Sequence, residues 1–140
     1  MKQNLITGLL DRVRPATFLD LNNGKGTKHY NHNIQEVGIV EDEFSTIRIA
    51  EEGETPTGIG YSYDCLRVEK PVTANCIFGT LLNIKWPPDF ENKLINEYQS
   101  ANEGILDESY KAPYLQFLND RTALKQMVDT DCEANGIPQN

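Results

Sequence analysis

The chain has 140 residues, 39% hydrophobic and 24% charged, with net charge −8, a pI near 4.7 and a mean hydropathy of −0.52. That length fits one domain with a modest core and no need of disulfide staples, and the composition is too apolar for an intrinsically disordered chain. The acidity argues against a nucleic-acid binder, which needs Lys and Arg to neutralise phosphates.

In chain order, residues 1–15 come first as an N-terminal arm. Leu5, Ile6, Leu9, Leu10 and Val13 have helical spacing, but Gly8 weakens a helix and Pro15 ends it. The apolar run is short, Asp11 breaks it, and no small-residue cleavage site follows, so the arm does not read as a signal peptide and the protein is expected to be intracellular or assembled inside a cell. No transmembrane run appears anywhere in the chain.

Residues 16–70 form the β-rich part. ATFLDL is a strand that turns at Asn23-Gly24, a hairpin signal, and returns as KHYNHNIQEVGIV. STIRIA (45–50) alternates, with Ile47 and Ile49 on one face. EEGETPTGIG (51–60) reads as a polar loop. YSYDCLRVE (61–69) follows as a strand with Tyr61, Tyr63 and Cys65 on one side and Leu66 and Val68 on the other.

At Pro71 the period becomes helical. Thr73 is a candidate N-cap for a helix over about 74–85 with Ile77, Phe78, Leu81 and Leu82 on its apolar face. Trp86-Pro87-Pro88 breaks it. Pro88 suits the first turn of a second helix (88–102) carrying Phe90, Leu94 and Tyr98, with Gly104 as its C-terminal cap. A third helix over about 109–132 carries Tyr110, Tyr114, Phe117, Leu118, Leu124 and Val128. The expected fold is α+β: a small antiparallel sheet of about four strands (16–70), then three helices that cover one face or extend as a helical hairpin, all within one domain, 1–140.

The chemistry-bearing residues are few. His29 and His32 are three apart in a strand, so they point to opposite faces and cannot share a metal ion; no third Cys or His sits at ligand spacing. Cys65, Cys76 and Cys132 are odd in number, widely spaced and free of any C-x-x-C pair, which fits free thiols in a reducing compartment. Cys76 is expected to be buried on its helix. Gly24-Lys25-Gly26-Thr27 has the wrong order and context for a phosphate loop, and Gly58-Ile59-Gly60 lacks the third glycine of a dinucleotide fingerprint, so both are turns. The acidic runs 41–43 and 51–54 do not match a calcium loop. A nucleophilic Cys65 would need one of the two histidines brought to it by folding; there is no G-x-S-x-G. The tyrosines read as core residues or as a partner-facing patch. No catalytic, cofactor-binding or metal-binding residue is assigned, no cofactor is expected, and neither nucleic acid nor membrane is an expected partner.

The charge is uneven. Residues 1–35 carry five basic and two acidic side chains, net +3, whereas residues 36–70 are net −6 and residues 71–140 net −5. The basic third is a solvated surface or a docking face for an acidic neighbour or another copy.

The segments GTKHYNHNIQE, YSYDCLRVEKPVTANCIFGTLL and YKAPYLQFLNDRTALKQMV resemble small proteins from the tail and tail-fibre gene clusters of phages infecting gut Bacteroidales, crAss-like phages among them. The resemblance spans residues 28–130. Its motifs are stylistic and carry over no functional residue. It implies a non-catalytic structural protein of the virion, a tail or tail-fibre-associated adaptor assembled in the bacterial host cytoplasm. Its partners would be other tail, fibre or adaptor components and further copies of itself. A fibre-assembly chaperone and a prophage or host protein-binding module are the alternatives.

Overall fold

The computed structural model describes residues 4–140. The fold is α+β, a five-stranded antiparallel sheet followed by three α-helices. The chain divides into two compact units, Met1–Lys70 and Pro71–Asn140. The division falls at Pro71, where the hydrophobic period changes and where an internal boundary within one domain is expected.

The sheet unit contains β1 (Leu5–Asp11), β2 (Phe18–Asp20), β3 (Lys28–Glu41), β4 (Ile47–Ile49) and β5 (Gly58–Val68). The order is β1-β5-β3-β2, and β4 also pairs with β3. Four strands lie within residues 16–70 as expected. The fifth, β1, corrects the reading of residues 1–15 as an arm or helix; the first three residues of that stretch lie outside the described residues. The reason is a bulge. Ile6 pairs with Cys65 and Leu9 with Tyr63, so β1 uses one more residue than β5 between those pairs. Gly8 takes φ +69°, a conformation open to glycine. The inserted residue puts Ile6 and Leu9 on one face despite their odd spacing, and the apolar pairs then mimic a helical period.

A second bulge lies across β5 in β3, between His32↔Asp64 and Gln35↔Ser62, with Asn33 at φ +51°. Asp64 of β5 ties both irregularities together. One carboxylate oxygen accepts from the Gly8 backbone N–H (3.1 Å) and the other from the Asn33 side-chain amide (2.9 Å).

β5 begins at Gly58, inside the stretch read as a loop. Its Gly60 is buried between β1 and β3, which pair with β5 on either side: a Cβ there would lie 2.7 Å from the Ile39 side chain and 3.0 Å from the Asp11 carbonyl oxygen. Gly60→Ala is therefore expected to destabilise the protein by about 1–2 kcal/mol through overpacking, read as a lower denaturation midpoint with unchanged slope. The β2–β3 hairpin forms as expected but through a longer connection (21–27). There Asn22, Gly24 and Gly26 all have positive φ, and the buried Thr27 hydroxyl donates to Glu69 (2.6 Å).

Each acidic run has one carboxylate in an ion pair. Glu41 accepts from Arg12 (2.9 Å), and Asp42 organises the β3–β4 turn. Glu54 takes a two-pronged contact from the Arg48 guanidinium (2.6 and 2.7 Å) and accepts from the Glu51 N–H (3.0 Å). Those contacts, the Arg48 hydrogen bonds foremost, hold the Glu54 carboxyl at about 2, below its usual 4.5. A carboxylate whose pKa is depressed by folding stabilises the fold above its unfolded pKa and loses that contribution as pH falls. Acid titration from pH 4.5 towards 2 should weaken the loop, and Glu54→Gln should flatten that part of a pH–stability profile.

The helical unit contains α1 (Ala74–Lys85), α2 (Pro88–Asn102), a 3-10 turn (Glu108–Lys111) and α3 (Ala112–Ala134), close to the expected bounds. Thr73 caps α1, its hydroxyl accepting from the Cys76 N–H (3.2 Å). The carbonyls of Pro138 and Gln139 receive the N–H groups of Ala74 and Asn75 (2.9 and 3.1 Å), so donors left over at the helix start are satisfied by the C-terminal segment. Gly104 leaves α2 at φ +78°. Ile77, Phe78, Leu81, Leu94, Phe117, Leu124, Val128 and Cys132 are buried. Trp86 meets Phe117 edge-on at 5.2 Å, and Tyr98 lies 5.0 Å from Tyr114. Four residues depart from expectation: Cys76 is exposed, as are Phe90, Tyr110 and Leu118. A periodic stripe marks a helix face, but only the packing partners decide how far round that face burial extends. Among the described residues no helix is long and apolar enough to cross a membrane.

Candidate functional site

Strand alternation assigns the odd-numbered residues of β5 to one face of the sheet, and two of them, Tyr63 and Cys65, are neighbours there with Arg67. β3 contributes His29 and Asn31 to the same face, since His29 pairs with Arg67 and Asn31 with Cys65. β1 adds Ile6 and Leu9, brought together by its bulge. Because β1 and β2 lie at opposite edges, residues 12–17 must carry the chain from one side of the sheet to the other. Pro15 and Ala16 of that connection close over the same residues, and the enclosed space is a cleft of about 810 Å³. Asn31, buried at its base, anchors the connection: its side-chain amide donates to the Ala16 carbonyl (2.8 Å) and its backbone N–H to the Thr17 carbonyl (2.7 Å).

The pairing register orders the cleft along β5. Asp11 and Tyr63 stand towards one end, Cys65, Asn31 and Ile6 in the middle, and Arg67, His29 and Leu19 at the other. Arg67 donates from its Nε to Glu69 (2.7 Å), so its charge is already paired. Ile6 and Leu19 are 58% and 49% exposed, although both line a concavity. A cleft of this size with an apolar wall and a few convergent polar groups has the character of a binding site.

Its chemistry is quiet. Burial pushes the Cys65 thiol up, and burial, followed by the charges of Asp11 and Cys65, pushes the Tyr63 hydroxyl up. A nucleophilic cysteine needs the opposite shift. His29 does reach the same cleft, as a diagonal neighbour across the β3–β5 pairing, but no hydrogen bond joins it to Cys65. His32 lies on the other face, its ring stacked on Tyr30 at 4.7 Å with Nδ1 3.1 Å from the Tyr30 carbonyl. The two histidines therefore point to opposite sides. Among the described residues no group of three or more His, Cys, Asp or Glu side chains is placed to hold a metal ion. All three cysteines are free, and burial followed by Asp131 and Asp129 pushes Cys132 up to about 11.

Alternation along β5 puts Tyr61, Tyr63 and Cys65 on a common face, but nothing local shows that the face is a cleft. The missing information is the pair of bulges and the edge-to-edge connection. The one sequence signal for them is Gly8 interrupting an apolar run. No family model, no curated protein and no solved structure matches the chain.

Proposed function

We propose that this is a non-catalytic interaction protein whose sheet unit docks a protein partner, and that it serves as a tail or tail-fibre-associated adaptor of a phage virion, present in several copies. The observation that supports an interaction role is the cleft itself: exposed Ile6 and Leu19 beside Arg67 and His29, around the buried Cys65, whose pKa burial raises. Apolar side chains exposed in a concavity are stabilised when a partner covers them. The virion setting rests on the resemblance of residues 28–130 to tail-cluster proteins.

The experiment is quantitative mass spectrometry of purified particles from a producing host. An adaptor is expected at a fixed, integral ratio to the tail proteins. Presence in infected lysate but absence from washed particles would replace the adaptor by an assembly chaperone, and absence from both would end the virion reading.

A specific feature favours peptide recognition by strand addition as the second reading. β2 and β4 occupy the same side of β3 and, among the described residues, leave residues 33–37 between them with no strand on that side, β5 lying on the other. An extended segment aligned there would complete the sheet. Chemical-shift changes confined to those residues on adding a partner segment would identify that mode.

A further inference from the structure

The β3–β4 turn is unusually well organised for a surface loop. The Asp42 carboxylate accepts from the N–H groups of Phe44 (2.8 Å) and Thr46 (2.9 Å), and the Asp42 and Thr46 backbones bond to each other (3.0 Å). Ser45 takes φ +61°, and Arg12 grips its carbonyl (2.6 Å) while also holding Glu41. What this scaffold presents is Phe44, 80% exposed, more than any other large apolar side chain described. Glu43 stands beside it with no ion pair among the described residues. A rigid tip holding an aromatic ring in water has the form of a preorganised anchor.

The cleft is its complement. It offers an apolar wall (Ile6, Leu19) next to His29 and to Arg67, whose exposed pair with Glu69 would be shared with an incoming carboxylate, and its volume exceeds that of a phenylalanine side chain several-fold. Within one chain the turn stands by the Asp11 end of the cleft, through Arg12, and away from its Arg67 end. The turn lies beyond the Ile39↔Gly58 end of the β3–β5 pairing, and Arg67 lies near its other end, about 30 Å away at 3.3 Å per residue.

We infer that Phe44 of one copy seats in the cleft of a second copy, with Glu43 on Arg67, in a head-to-tail contact repeated along the strand direction. A tip-to-cleft contact made head to tail is heterologous and propagates into a ring or an open filament, whereas two copies seated reciprocally in each other would close as a pair. This deepens the multi-copy reading above and rests on it for its setting only.

The test is absolute mass by light scattering over a concentration series, with three exposed-residue variants whose folding is checked by thermal melting. Wild type should grow beyond a dimer as concentration rises, and Phe44→Ser should weaken association by about tenfold or more. Glu43→Arg and Arg67→Glu should each stay monomeric alone, by placing like charges in the contact, and should assemble when mixed, because each tip then meets a cleft of opposite charge. A wild type that is monomeric at every concentration overturns the inference, as does a dimer that never grows, unchanged assembly of Phe44→Ser, or a mixture that stays monomeric. The particle experiment is separate: absence from virions would remove the adaptor role without touching this result, and a monomeric wild type found in particles would leave an adaptor held by other proteins.

Discussion

Tyr30→Ala should destabilise the protein by about 4 kcal/mol, the largest effect expected of any single substitution considered. Tyr30 is fully buried, with a relative exposure of 0%. Its ring is stacked between Phe18 at 4.8 Å and His32 at 4.7 Å, and its backbone pairs with Phe18 on one side and Leu66 on the other. Truncation removes the transfer energy of the ring, both aromatic contacts and the support that holds the short strand β2 on β3. With only three residues, β2 depends on its pairing with β3, on the Asn31 anchor before it and on this stack. Urea denaturation of Tyr30→Ala should show a much lower midpoint. Tyr30→Phe keeps both stacked contacts and removes only the buried hydroxyl, so it should lose less than the alanine variant. A loss below about 1 kcal/mol in the alanine variant would mean that the stack is not a core element.

Asp64→Ala carries the second large effect, about 2 kcal/mol, for a different reason. The carboxylate satisfies two donors at the bulges that flank it, the Gly8 N–H and the Asn33 amide. Hydrogen bonds to a charged acceptor contribute about 1.5–3 kcal/mol each, less where water competes as it does here. Removing the acceptor does more than lower stability. Without it the bulges in β1 and β3 lose the group that fixes their position, and a slip of one residue reverses every side chain beyond it. Hydrogen exchange should therefore accelerate across residues 5–11 and 32–37 in Asp64→Ala, with the helical unit unaffected. Asp64→Asn keeps an acceptor oxygen and should fall between the variant and wild type. Unchanged exchange at Gly8 would show that the bulge is held by β1 alone.

The bulges also explain why the cleft is harder to see in the sequence than the helices. Thr73, Pro88, Gly104 and the apolar stripes of the helical part act locally, through capping, fixed φ and a 3.6-residue period, so helix limits could be set from neighbouring residues alone. The alternation in β5 was equally local, and it correctly set Tyr63 and Cys65 against Leu66 and Val68. The same locality fixed His29 and His32 on opposite faces of β3.

What the chain order could not convey was pairing. β1 is a strand because β5 is there to accept it, and its period was disguised by the residue inserted at Gly8. His29 and Cys65 are far apart in sequence and share a cleft only because β3 and β5 pair in one register, while Ala16 closes it only because Asn31 binds its carbonyl. The exposure of Cys76, Tyr110 and Leu118 is likewise a property of what packs beside a helix and not of the helix itself. Local conformational preference and periodicity thus determined the elements, the α+β class and the change of character at Pro71. The cleft and its electrostatic polarity were decided by contacts between distant residues, whose energies no short-range pattern encodes.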